Sequence, residues 1–91
     1  MTLDQALANL IAEQNALEAP CIAMNTARAA MKRSRSQKNL TALNDAIAAF
    51  EAQIDKIDAA RATCDRIEAA ANIQARKDRQ ASMAESQPSL F

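Results

Sequence analysis

The sequence predicts an all-α fold: a long antiparallel helical hairpin that dimerises into a four-helix bundle. Three observations predict it. Glycine is absent, proline occurs twice, aromatic residues make up 2% of the 91 positions, and valine does not occur. What remains is rich in Ala, Leu, Gln, Glu, Lys and Arg, the strong helix formers, with β-branching confined to Ile and Thr. Large apolar residues recur in alternating steps of three and four along two segments, the spacing of one helix face. The two segments also match in register when the chain is folded back about residue 37.

The first helix is expected over about residues 3–33. Thr2 stands where an N-cap belongs and Gln5 lies three residues later, a capping box. Leu3, Leu7, Leu10, Leu17, Cys21, Met24 and Met31 then mark one face, with Gln14 and Arg28 at the two missing positions. The phase passes through Pro20 unbroken, which predicts one helix kinked near Pro20; a break at Ala19-Pro20 is the alternative. The turn is placed at about residues 34–39, within the polar run Arg33-Ser34-Arg35-Ser36-Gln37-Lys38-Asn39, with Ser36 or Asn39 capping the second helix. That helix is expected over about residues 40–80 on Leu40, Leu43, Ile47, Phe50, Ile54, Ile57, Arg61 and Cys64. Residues 1–81 thus form the hairpin and residues 82–91 a flexible tail.

Folding about residue 37 sets Met31 against Leu43, Met24 against Phe50, Leu17 against Ile57 and Leu10 against Cys64, and places Gln14 and Arg61 in one polar layer. Agreement between pattern and register marks a foldable sequence. Two helices bury too little apolar surface to stand alone, so a partner is expected. Ala42, Ala46, Ala49, Ala60 and Ile67 widen the second helix's apolar face, and Ile11, Ile22 and an alanine stripe widen the first. A homodimer is the expectation.

Composition narrows the function classes. Eleven basic and eleven acidic residues cancel, leaving no global field to attract nucleic acid or membrane. No apolar run has the length of a membrane span, no signal peptide is evident, and two cysteines without a secretory signal point to the cytoplasm. In the expected register Cys21 and Cys64 lie too far apart for a disulfide. With no histidine, no glycine-rich phosphate loop and no cysteine pair at metal spacing, neither an enzyme nor a cofactor is expected. Asp55 with Asp58, and Glu13 with Glu18, read as solvated helix surface rather than catalytic pairs. Two basic clusters remain as possible phosphate contacts: Lys32, Arg33, Arg35 and Lys38 at the turn, and Arg76, Lys77 and Arg79 on the second helix. Neither has interleaved aromatics for base stacking.

The strongest functional signal is the C-terminal Gln87-Pro88-Ser89-Leu90-Phe91. An apolar pair after a polar tail seeks a pocket. Gln87, Ser89, Leu90 and Phe91 fit a pattern that resembles the pentapeptide by which many proteins bind the bacterial sliding clamp, Gln-Leu-Ser/Asp-Leu-Phe. Pro88 departs from it at its most variable position, and its fixed φ suits an extended peptide. The resemblance covers these five residues only and implies that Gln87 is the polar anchor while Leu90 and Phe91 fill an apolar pocket. It further implies a non-enzymatic partner of the clamp, one that competes with polymerases and the clamp loader and so modulates or inhibits DNA replication, as a small phage-encoded protein would. A dimer would offer two tails to the ring's two pockets. Recruitment of another activity to the clamp, a structural or scaffolding hairpin whose tail caps its own bundle, and a nucleic-acid-binding hairpin using the basic turn stay open as other readings.

Overall fold

The computed structural model describes the backbone of residues 1–86 and the side chains of residues 1–83. It is all-helical, with helices α1 (Leu3–Asn15), α2 (Glu18–Arg33) and α3 (Gln37–Ser86) and no strand among the described residues. Both α1 and α2 lie against α3. The contacts run in opposite order along the two arms: Asn39 of α3 reaches Ala30, Gln53 reaches Glu13, and Ala59, Ala60 and Thr63 face Met1, Ala6 and Asn9. The result is a rod of 85 × 19 × 16 Å with a radius of gyration of 23.6 Å. A compact domain of this length would have about 12 Å.

Local chemistry sets the helix ends. Thr2 and Gln5 form the expected capping box: the Thr2 amide donates to Gln5 Oε1 at 3.0 Å and the Gln5 amide to Thr2 Oγ1 at 3.2 Å. Ser36 caps α3, its Oγ accepting from the Asn39 amide at 3.1 Å. Asn39 serves the other helix instead. Its Nδ2 donates to the carbonyls of Ala30 (3.2 Å) and Ser34 (2.7 Å), closing the end of α2. The connection is therefore only residues 34–36, shorter than expected, and α3 starts at Gln37 rather than near residue 40. At its far end α3 runs on to Ser86, so Ser82–Ser86, expected as tail, are helical.

The irregularity in the first arm falls one turn ahead of Pro20, not at it. The pyrrolidine ring collides with the carbonyl four residues back, that of Ala16, so the helix yields there. Ala16 (φ −68°, ψ −10°) and Leu17 (φ −71°, ψ −23°) keep right-handed backbone, and the arm bends without losing phase. Pro20 becomes the third residue of α2, inside the first turn, where an amide hydrogen has no helical acceptor anyway.

The packed seam differs from the expected one by a small rotation. The positions spaced by seven, Leu3, Leu10, Leu17, Met24, Met31 and Leu43, Phe50, Ile57, Cys64, face the other arm as expected, half-buried or buried. Between them, however, sit Ala6, Glu13, Pro20 and Ala27 in the first arm and Ala46, Gln53, Ala60 and Ile67 in α3. The expected Leu7, Gln14, Arg28 and Arg61 are exposed, while Cys21, Ile47 and Ile54 lie half-buried on the flank. Large residues at one position and mostly small ones at the next let the two backbones interdigitate closely. Leu7 (39%), Ile11 (56%), Ile22 (57%) and Leu40 (37%) keep much of their surface in water. Among the described residues only Ala6, Ile57 and Cys64 are buried apolar residues, and α2 contributes none.

The polar layer is correspondingly Glu13 with Gln53, not Gln14 with Arg61, both of which are exposed. The Leu17 amide closes a tight three-residue turn onto the Gln14 carbonyl (3.2 Å) and passes over that of Glu13. Gln53 Nε2 fills the gap, donating to the Glu13 carbonyl at 2.8 Å and to Glu13 Oε2 at 2.9 Å. In the expected register Gln53 would stand at the level of Cys21, eight residues and about 12 Å from Glu13. Half of that displacement comes from the fold-back being centred on residue 35 rather than 37, since each step of the centre moves opposing pairs by two.

Gln53→Ala removes both bonds and strands a carbonyl and a carboxylate at the bend. It is expected to cost about 1–3 kcal/mol, seen as a lower urea midpoint with unchanged slope. Glu13→Ala keeps the bond to the backbone carbonyl and should cost clearly less.

Candidate functional site

The turn end of the rod carries the first basic cluster. Residues in α2's last turn and in the connection bring cations to the C-terminus of α2, where they complement its unpaired carbonyls. Arg28, Lys32 and Arg35 gather with Met31 and Leu43 around a surface cavity of about 180 Å³. Its floor is apolar, where α2 meets α3, and its rim holds three cations on one side of the molecule. Such a cavity suits an anionic group attached to an apolar body.

The structure thus regroups the residues the sequence singled out. Lys32 and Arg35 line the cavity; Arg33 and Lys38 are exposed but do not line it. Arg28, which the periodicity placed in the packed seam, joins them instead. The signal that would have found it is its spacing: Arg28 lies four residues before Lys32, on the same helix face.

Arg76, Lys77 and Arg79 lie on an exposed stretch of α3, far from the turn. Asp78 stands among them and accepts from Gln74 Nε2 at 2.9 Å, so the local charge is mixed. From Glu68 to Met83 every described side chain of α3 is exposed. This stretch projects beyond the first arm as a single helix. Gln87, Pro88, Ser89, Leu90 and Phe91, the segment expected to bind a partner, lie outside the described residues.

The second cavity, about 170 Å³, lies where the first arm begins, about halfway along α3, between Met1, Ala6 and Asn9 and Ala59, Ala60 and Thr63. Its lining bears no charged side chain and offers no catalytic constellation. Both thiols are free, Cys64 buried and Cys21 half-buried. Among the described residues no group of three His, Cys, Asp or Glu side chains is placed to hold a metal ion, and no helix is long and apolar enough to cross a membrane.

The chain matches no protein-family model, no curated protein and no solved structure.

The regrouped cations can be separated by experiment. Any affinity for a short DNA duplex that runs through this cavity should fall when Arg28, Lys32 and Arg35 are replaced with Gln, and its salt dependence should flatten by about 0.9 in log–log slope per lost phosphate contact. Replacing Arg33 and Lys38 should have the smaller effect, with both sets read by fluorescence anisotropy across a salt series.

Proposed function

We propose that this chain is a non-enzymatic binder of the bacterial sliding clamp, acting through Gln87, Pro88, Ser89, Leu90 and Phe91. Its body would be an antiparallel helical hairpin that pairs with a second copy. Gln87 supplies the polar anchor and Leu90 and Phe91 the buried surface. By occupying the pocket shared by polymerases and the clamp loader, the protein modulates or inhibits DNA replication.

The observation that carries this reading, beside the motif itself, is the reach of the C-terminal segment. The last half-buried seam residue is Ile67, and α3 continues to Ser86. Nineteen helical residues span about 28 Å. Residues 87–91, fully extended, span about 17 Å. That span is shorter than the stretch of α3 from Ser86 back to Ile67, which supports a pocket supplied by another molecule over a tail that caps its own bundle. The mixed charge around Arg76, Lys77 and Arg79 favours the tail over DNA as the primary contact.

Burying Leu and Phe contributes about 1.5–3 kcal/mol each before ordering costs. A peptide of residues 82–91 should then bind purified clamp no more tightly than about micromolar. Gln87→Ala should weaken binding and Leu90→Ala/Phe91→Ala should abolish it in fluorescence anisotropy. Intact protein that ignores the clamp while the peptide binds would refute competition as its role, and failure of both would refute the assignment.

A further inference from the structure

We infer that a second copy of this chain covers one particular broad side of the rod, reversed end for end, and that the side's own charge polarity sets this orientation. The inference rests on the two-copy hairpin reading above but not on what the tail binds.

Both arms repeat every seven residues, so each has two rows flanking its seam. In an antiparallel pair the rows one position past Ala6 and Ala46 lie on the same side of the rod. On this side stand Leu7 and Cys21 from the first arm and Leu40, Ile47 and Ile54 from α3. The opposite side presents Asn9, Ala16 and Ala23 against Ala42, Ala49 and Lys56. Of the rows that flank the seam, this side thus holds the large aliphatic residues and the opposite one small or polar residues, while Ile22 lies on the back of the first arm.

Charge identifies the occupant and its direction. At the turn end this side carries Arg28, Lys32 and Arg35, which share the cavity over Met31 and Leu43. Toward the other end, in the rows flanking the same side, it carries Asp4, Asp58 and Asp65, all exposed, with Arg61 the lone cation among them. A copy laid parallel would set basic on basic and acidic on acidic. A copy reversed about a two-fold axis across the rod sets each basic end over an acidic end, with the aliphatic rows meeting between. This contact is isologous and closed. It also directs the two α3 overhangs to opposite ends of the assembly, on the order of 100 Å apart at 1.5 Å per residue. Tails so placed serve two separate partners rather than two pockets of one ring.

The charge variants use exposed residues, and circular dichroism checks the fold of the variant at half-buried Ile54. The full-length chain should have twice its monomer mass by light scattering. Arg28→Glu/Lys32→Glu makes both ends acidic, and Asp58→Lys/Asp65→Lys makes both ends basic. Each variant alone should be monomeric, and an equimolar mixture should restore the doubled mass, with circular dichroism unchanged throughout. Ile54→Glu should also give monomer, while Ala49→Glu on the opposite side should not. In the native chain the Cys21 thiol should react several-fold more slowly with a maleimide as concentration rises, with buried Cys64 slow at every concentration. A wild-type monomer overturns both the dimer and this interface. A dimer that survives the charge variants and Ile54→Glu but is lost with Ala49→Glu keeps the dimer and overturns the face proposed for it. Clamp binding that fails while the mixture still pairs overturns only the tail's assignment.

Discussion

The architecture depends on how one proline-induced irregularity is resolved. Pro20 forces the helix to give way at Ala16, and the tight turn there leaves the Glu13 carbonyl without its usual amide. A free carbonyl in a packed seam is costly. Gln53 answers it from the other arm and takes the Glu13 carboxylate with its second hydrogen, at 2.8 and 2.9 Å. The bond is partly charge-assisted and comes from a residue that is 9% exposed. Sliding the arms past one another would break it. Register, which generic apolar contacts specify weakly, is thereby fixed near the middle of the rod, as a buried polar residue fixes it in coiled coils.

That tie also explains which residues the seam excludes. With Glu13 and Gln53 facing each other, the residues three positions on from the large ones must also face inward, and half of these are alanines: Ala6, Ala27, Ala46 and Ala60. Small residues bring the backbones close enough for a glutamine to bridge them. The consequence is that Leu7, Ile47 and Ile54 are moved to one flank. A thin seam and an aliphatic flank are two results of the same rotation. So is the appearance of Arg28 at the surface, where it completes a basic cavity instead of interrupting a core.

Function divides along the rod. One end is basic and carries a cavity; the middle holds the seam and its polar tie; beyond Ile67 the described side chains of α3, to Met83, are exposed, and the helix runs on to Ser86. A single helix of this length is marginal in water by itself, and here it grows from a packed stem that has already nucleated it. Its physical effect is spacing: it carries the backbone at Ser86 about 28 Å beyond Ile67, the last half-buried residue of the seam.

Composition and periodicity determined the helical class, the capping box at Thr2 and Gln5, and the residues Leu10, Leu17, Met24, Phe50 and Ile57 that face the other arm. These stem from local rules, since propensity, caps and seven-residue spacing are written in neighbouring positions. Part of the basic site was legible for the same reason, because Lys32 and Arg35 adjoin the turn. Tertiary structure alone decided the rest. Ranking residues by size puts Leu7, Ile47 and Ile54 in the seam, and only the partner helix can show that Ala6, Ala46 and Gln53 fit it better. The Glu13–Gln53 tie joins positions forty residues apart through a carbonyl freed by a bend. No spacing rule encodes that, because its partner group belongs to the backbone and becomes available only once the helix has yielded to Pro20.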